Sequence, residues 1–169
     1  ALYFFVRACA LPKTVPVPPS DRKGISIIIC AKSEAENLER YLPVVLTQDY
    51  KDATGKPLYE VIVVNDASTD DTARVLQELE LRYDHLWDVV ISESDERLLK
   101  GKKHALSKGV AIAQNDLLLL TDADCVPATD QWLALMTAPL AQGKEIVAGY
   151  GGYTHTGGLL NAFIRWETL

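Results

Sequence analysis

The chain has 169 residues, 48% of them hydrophobic, which is enough for one sizeable core and predicts a single domain. Its formal net charge of −6 argues against nucleic acid as a partner, because binding to phosphate backbones needs a basic surface. The three cysteines stand far apart, and no C-x-x-C or Cys/His ligand spacing occurs. This pattern argues against structural zinc and fits a reducing compartment, so all three are interpreted as small apolar residues.

Residues 1–23 form an N-terminal segment and a linker ahead of the predicted domain, 24–169. The opening "ALYFFVRACALP" is too short for the roughly 20 apolar residues that span a bilayer, and it has no signal cleavage pattern. Two interpretations stay open: a helix or strand docked on the domain, or the cytosolic end of a membrane helix that begins earlier. The Pro-rich stretch 12–24 suits a stiff spacer after such an anchor, which would place the protein at the cytoplasmic face of the cell membrane.

Short apolar runs alternate with helical patterns from Gly24 onward. The predicted strands are "ISIIIC" (25–30), "YEVIVV" (59–64), "DVVIS" (88–92), "DLLLLT" (116–121) and "KEIVAGY" (144–150). A capping-box spacing at Ser33 to Glu36 predicts the start of the first helix, which Pro43 is expected to kink or end. Further helices are predicted after "STDD" (68–71) and across 105–113. This order predicts an α/β fold with a doubly wound, mostly parallel sheet and a ligand crevice beyond the carboxyl ends of its strands.

Acidic residues follow two of the predicted strands. Asp66 comes after the second strand, and Asp122 and Asp124 come after the fourth, so all three are expected at one edge of the sheet. Gathered carboxylates need a compensating cation, and an all-oxygen set suits Mg²⁺ or Mn²⁺. If the segment is extended, Asp122 and Asp124 point the same way, and Ala123 between them lets the backbone approach a ligand. The alternative is that these acids only cap turns or the next helix.

A basic run, "LLKGKKHALSKG" (98–109), stands out in this acidic chain and would attract a phosphate group. The alternative is a solvated helix face, which would account for Lys108 and for one of Lys102 and Lys103. The other of these two lysines is expected to contact the ligand.

Four segments in this order resemble glycosyltransferase family 2, whose catalytic domains have the nucleotide-sugar-binding GT-A fold. They are "SIIICAKSEAENL" (26–38), "VIVVNDASTDDT" (61–72), "GKKHALSKG" (101–109) and "LLTDADC" (119–125), and together they span about 24–126. The resemblance implies a nucleoside-diphosphate sugar donor, Mg²⁺ or Mn²⁺ as cofactor, and inverting transfer of the sugar to a saccharide or lipid-linked acceptor.

The resemblance also implies a role for each matched residue. The base pocket would be walled by the turn after the first strand, the base bound by an acid after the second, and the ribose and metal-diphosphate bound by the D-x-D. The wall of the base pocket would be formed by Ala31, Lys32 and Glu34, and the base would be bound by Asp66. The D-x-D consists of Asp122, Ala123 and Asp124, and Lys102 would approach the base or the phosphate. Asn65 stands where the family often has an Asp, so the base contact is assigned to Asp66.

The end of the chain departs from the family pattern. "AFIRW" (162–166) lacks the Gln of the Gln-x-x-Arg-Trp motif and follows the predicted fifth strand too closely. We interpret it as part of an amphipathic helix, about 159–168, with Leu159, Leu160, Phe163 and Ile164 on one stripe. This stripe would pack inward, pair with another copy of the chain or rest on lipid. The catalytic base is expected downstream, so the chain alone is expected to bind a nucleotide without transferring sugar.

Three other classes of protein share parts of this pattern. A sugar-phosphate nucleotidyltransferase opens with a Gly-rich loop after its first strand, but "CAKSEAEN" has no glycine. A receiver domain needs an acidic pair after its first strand, where only Glu34 and Glu36 stand, on a predicted helix. A non-catalytic binding module stays open, and Mg²⁺- or Mn²⁺-dependent protection by a nucleoside diphosphate in thermal unfolding would separate these three classes from a transferase.

Overall fold

The structure, a computed structural model, describes residues 18, 21–94, 99, 101–149, 151–153, 157–161 and 163. Strands and helices alternate along the chain. In order they are β1 (Ile25–Ala31), α1 (Ala35–Leu46), β2 (Tyr59–Asp66), α2 (Thr72–Glu80), β3 (Leu86–Ile91), α3 (Lys102–Ile112), β4 (Leu117–Asp122) and α4 (Trp132–Ala141). The first four predicted strands are therefore confirmed, with ends that shift by one or two residues.

The four strands form one parallel sheet in the order β3-β2-β1-β4. One face packs against α1, α2 and α4 in the main core, and the other packs against α3. Helices on both faces confirm the predicted doubly wound architecture. Because β1 and β2 are central and covered on both faces, nearly all their residues are buried, which explains the apolar runs 27–31 and 61–64.

Strand β4 is the outermost strand on one side of the sheet, and β1 is its hydrogen-bonded neighbour. Leu117 and Leu119 point into the main core, while Leu118 and Leu120, on the face that α3 covers only partly, are 44% and 57% exposed. The leucine run is therefore buried on one face and half open on the other.

Helix α1 continues past Pro43 to Leu46, so Pro43 does not end the helix, and a kink at Pro43 stays a prediction. Leu42, Val45 and Leu46 are buried in the main core, and this packing stabilises the last turn in spite of the missing proline N–H. The helix ends where Thr47 Oγ1 donates a hydrogen bond to the Pro43 carbonyl at 2.8 Å.

The predicted fifth strand is wrong, since residues 144–149 form no strand. Most of this segment is exposed, with Ile146 at 90%, and it comes close to α4 at Gly149, where an added Cβ would be 3.0 Å from Met136 Sδ. Helix α4 itself was missed. Its sequence "WLALMTAPLA" is apolar on nearly every side, so it lacks the polar face by which a surface helix is recognised.

The tail agrees in part with the predicted helix, because residues 159–161 and 163 are helical. Leu159, Leu160 and Phe163 are all exposed, and Ile164 lies outside the described residues. Among the described residues, no helix combines the length and apolar character needed to cross a bilayer. Self-association and membrane association stay predictions.

Asp88, in β3, is held in an unfavourable environment for a carboxylate. Its backbone N–H donates a hydrogen bond of 2.6 Å to Glu80 Oε1 at the end of α2. Burial, with the negative charge of Glu80 adding to it, raises the pKa of Asp88 to about 6. Its Oδ1 is buried without a hydrogen-bond partner among the described residues.

Asp88→Asn is expected to stabilise the protein at neutral pH by about 1 kcal/mol. This is well below the free energy that corresponds to the full pKa shift, because the side chain is only half-buried and solvent screens its charge. Between the ordinary value of 3.8 and the folded value of about 6, the folded chain keeps a proton that the unfolded chain has lost. The free energy of unfolding of the parent therefore falls as the pH rises through this window, and that of the variant does not. Urea unfolding near pH 4 and above pH 7 measures this; an equal difference at both pH values would contradict the assignment.

Candidate functional site

The carboxyl ends of the strands bring the predicted acids to one edge of the sheet. Asp66 is the last residue of β2 and Asp122 the last of β4, and the two strands flank β1 on either side. Cys30 of β1 lies opposite Asp122 in the ladder. The expected shared edge is confirmed, and Asp124 follows two residues after Asp122.

Lys102, the first residue of α3, joins this edge. Its Nζ donates a hydrogen bond to Asp122 Oδ1, and this bond is the main reason why the pKa of Lys102 is raised. Lys103 is exposed and has no ion pair among the described residues. Of the two lysines that the sequence left open, the structure thus directs Lys102 to the carboxylates.

Cys30 is a site residue that sequence reasoning missed, since its thiol was interpreted only as a small apolar group. Burial raises the pKa of this thiol; the charge of Lys102 opposes the shift, and those of Asp122 and Asp66 add to it. The thiol therefore lies within the electrostatic reach of both carboxylates. Its position just before the end of β1 was the available signal.

The prediction for Asp122 and Asp124 assumed that the segment after β4 is extended, but this segment forms a turn. The Cys125 N–H donates a hydrogen bond of 3.2 Å to the Asp122 carbonyl, which closes a turn over Ala123 and Asp124. Ala123 is buried in the main core, while Asp122 and Asp124 are exposed. The two carboxylates therefore owe their common exposure to a turn around a buried alanine, and not to the alternation of an extended strand.

A cavity of about 450 Å³ opens beside this turn. Its polar wall contains Lys102 and Asp122, together with the thiols of Cys30 and Cys125. The remaining lining is mostly apolar and includes Trp132 and Met136 of α4 with Gly149 and Gly151. An apolar cleft with a few convergent charged groups is typical of a small-molecule site.

The loop after β2 caps helix α1, and the predicted capping box does not form. The backbone N–H groups of Ser33, Glu34 and Ala35 donate hydrogen bonds of 2.9, 3.0 and 3.1 Å to side-chain oxygens of the loop after β2 and of the first residue of α2. The acceptors are Ser68 Oγ, Thr72 Oγ1 and Asp70 Oδ2. The loops after β1 and β2 are therefore joined, in the region that the resemblance assigns to the base.

Two non-glycine residues in these loops have left-handed backbones: Ser33, with φ 56°, and Ala67, with φ 53°. Such conformations cost on the order of 1 kcal/mol and persist where surrounding bonds hold them. The Ala67 N–H donates to the Ile91 carbonyl at 2.9 Å, and Asn65 Oδ1 accepts from the Ser68 N–H at 3.2 Å. Asn65 thus has a structural role in the turn, while Asp66 is a buried carboxyl at its start.

The residues expected to wall the base pocket differ in their surroundings. The Ala31 side chain is buried in the main core, so only its backbone can face a ligand. Lys32 is exposed, and Glu34 Oε2 accepts a hydrogen bond of 2.6 Å from Asn37 Nδ2. Their contacts with a nucleotide stay predictions.

Asp122 and Asp124 suit a divalent metal held together with a ligand. Among the described residues, no group of three or more His, Cys, Asp or Glu side chains is placed to hold a metal ion. Mg²⁺, however, is usually bound by one or two carboxylates, with substrate phosphates and water completing its oxygen shell. The donor set therefore fits a metal shared with a diphosphate better than one held by the protein alone.

Comparison with known proteins gives a consistent result. The model of the family described as "Glycosyl transferase family 2" matches residues 26–166. Glycosyltransferase AglE of Haloferax volcanii is 30% identical over 135 residues, which are 79% of this chain and 41% of that protein. Poly-beta-1,6-N-acetyl-D-glucosamine synthase of Staphylococcus epidermidis is 28% identical over 73% of this chain and 28% of its own length. The chain thus spans well under half of either relative.

Among solved structures, the mannosyltransferase PcManGT from Pyrobaculum calidifontis, in complex with GDP-Man and Mn²⁺, superposes with a TM-score of 0.64 at 29% identity. The match covers 83% of this chain and 39% of that one. Glucosyl-3-phosphoglycerate synthase from Mycobacterium tuberculosis, at a TM-score of 0.50 and 21% identity, covers 70% of this chain and 40% of its own and supports the fold alone. The expected GT-A type of α/β fold is confirmed, and the chain belongs to glycosyl transferase family 2.

Proposed function

We propose that the chain binds a nucleoside-diphosphate sugar together with Mg²⁺ or Mn²⁺, as the donor-binding part of an inverting glycosyltransferase. The observation that carries the proposal is the pairing of Asp122 with Lys102 at the sheet edge that also holds Asp66. Support comes from the mannosyltransferase similar to this chain, whose complex contains GDP-Man and Mn²⁺. In the whole protein, the acceptor would be a saccharide or a lipid-linked acceptor.

The residues of this chain would bind and orient the donor. Asp66 would contact the base, Asp122 the ribose side, and Asp124 with Asp122 the metal. A bound divalent metal stabilises the negative charge that develops on the leaving diphosphate. Lys102 would add a second positive charge at the phosphates, and the apolar cavity wall at Trp132 would limit the access of water.

The base that deprotonates the acceptor hydroxyl is proposed to lie outside these 169 residues. The chain covers 41% of the archaeal relative, so much of a homologous protein has no counterpart here. Residues 1–169 are therefore expected to bind donor without transferring sugar. The nucleotidyltransferase and receiver-domain alternatives do not fit a member of this family.

Asp124→Ala is expected to abolish the Mn²⁺-dependent thermal stabilisation of the chain by UDP or GDP. The carboxylate is exposed in a turn, so its loss removes a metal ligand and leaves the core intact. Thermal unfolding followed by circular dichroism, with and without Mn²⁺ and each nucleotide, measures the effect. For the parent, at a nucleotide concentration about 100 times the dissociation constant, the stabilisation would approach 2.7 kcal/mol.

Asp116→Asn is the matched control, because Asp116 is an exposed acid just before the amino end of β4, at the opposite edge of the sheet. It is expected to behave like the parent with both nucleotides. Equal Mn²⁺-dependent stabilisation of Asp124→Ala and Asp116→Asn would show that Asp124 is not a metal ligand. No stabilisation of the parent by either nucleotide would overturn the proposed donor site.

A further inference from the structure

Lys102 forms an ion pair with Asp122, a carboxylate that is expected to bind a metal. Its Nζ bonds to Asp122 Oδ1, and the side chains of Lys102 and Asp122 are 60% and 56% exposed. The nearby charge of Asp124 also acts on the Lys102 ammonium. The chain thus supplies its own cation at the place where a divalent ion would bind.

The start of α3 places this ammonium and leaves only the side chain free to move. Gly101, just before the helix, has φ 58°, a conformation that glycine adopts without steric cost. Further along α3, Gly109 packs so closely on Ile28 that an added Cβ would lie 2.6 Å from its Cγ2. Because this packing fixes the helix on the sheet, Lys102 can change partners only by rotating its flexible four-carbon stem.

We propose that Lys102 is a resident counter-ion that competes with free divalent metal for Asp122 and moves to the diphosphate when the nucleotide binds. A metal ion that arrives alone has to displace the ammonium and then tolerate its positive charge nearby. A diphosphate gives the ammonium another anion within reach, which releases Asp122 for the metal. Metal and diphosphate therefore bind cooperatively, each raising the affinity for the other. This inference rests on the proposed donor site.

The role predicts effects of opposite sign on two ligands when the charge of Lys102 is removed. Asp122 becomes available, so Mn²⁺ alone binds more tightly, while the diphosphate loses a cationic contact and binds more weakly. A lysine that contacts only phosphate would leave the affinity for Mn²⁺ alone unchanged. A purely structural lysine would weaken both ligands.

The test compares Lys102→Met, which keeps most of the stem without the charge, with Lys103→Met. Lys103 is the neighbouring lysine, exposed and without an ion pair among the described residues. The electron paramagnetic resonance signal of free Mn²⁺ gives the affinity of each 169-residue variant for the ion without nucleotide. Lys102→Met is expected to bind Mn²⁺ about three- to five-fold more tightly than the parent, the range that loss of an exposed ion pair allows. Lys103→Met is expected to match the parent.

Calorimetry with UDP and GDP in saturating Mn²⁺ gives the second half of the test. Lys102→Met is expected to bind the preferred nucleotide about ten-fold more weakly, as for loss of one charge-assisted contact. An affinity of Lys102→Met for Mn²⁺ alone that is equal to or lower than that of the parent would overturn the counter-ion role. If the parent binds neither nucleotide, the proposed function fails, and the Mn²⁺ comparison still decides whether Lys102 competes with metal.

Discussion

Glu60→Ala is expected to lower the free energy of unfolding by about 3 kcal/mol, because it leaves the buried Ser26 hydroxyl and partly buried donors of the loop before β4 without their acceptor. Glu60, in β2, is 7% exposed, and its Oε1 accepts bonds from Ser26 Oγ at 2.6 Å and from the Gln114 N–H at 2.7 Å. Asn115 joins the same network, since its backbone N–H donates to Ser26 Oγ at 3.1 Å. The network ties the loop between α3 and β4 to the two central strands.

Glu60→Gln is the matched control, because the amide keeps an acceptor oxygen of nearly the same shape and loses only the charge. It is expected to cost about 1 kcal/mol, the usual difference between a charged and a neutral acceptor. Urea unfolding of the two variants and the parent gives the comparison. If Glu60→Ala were no less stable than Glu60→Gln, the network would not support the loop.

Gly109→Ala is expected to destabilise the protein by about 2 kcal/mol, although alanine is normally the better helix residue by about 1 kcal/mol. The added Cβ would lie 2.6 Å from Ile28 Cγ2 and 3.1 Å from Val64 Cγ2. Both are branched side chains in central strands and have little room to rotate. Helix α3 must then shift away from the sheet, and Lys102 shifts with it.

The double variant Gly109→Ala/Ile28→Ala tests the cause, because Ile28→Ala removes the methyl group that the new Cβ would meet. If the clash is the cause, the double variant loses clearly less stability than the sum of the two single changes. Chemical denaturation of all four proteins gives the coupling energy. Strict additivity would show that the cost at Gly109 has another origin.

The central strands were predictable because burial on both faces leaves a plain trace in the sequence. β1 and β2 are mostly apolar, interrupted near their starts by Ser26 and Glu60, and are bounded by turn residues. The common orientation of β2 and β4 placed Asp66 and Asp122 at one edge. The residues alone predicted Lys102 only as one of two neighbouring lysines, since the choice depends on how α3 is rotated on the sheet, and the family resemblance was needed to select it. That rotation follows from the tight packing at Gly109.

The remaining errors arose where distant contacts override local pattern. Residues 144–149 have the composition of a strand, but nearly all of them are exposed and none pairs with a strand among the described residues. The capping-box spacing at Ser33 is present in the sequence, yet the first turn of α1 is bonded by another loop. The burial of Ala123, which turns Asp122 and Asp124 outward, has no signature in a three-residue motif.

The first turn of α1 is capped by side chains from the segment after β2, and this affects the order of folding. Ser33, Glu34 and Ala35 are bonded by residues 35 to 38 positions away, so no local side chain closes the first turn of the helix. Contacts at such separations form only after the loop-closure entropy has been overcome. The first turn of α1 should therefore form after β2 has paired with β1. The loop after β1, which is expected to wall the base pocket, would then be among the last parts of this sheet edge to fold. Substitutions of Asp70 would therefore act mainly on the rate of unfolding.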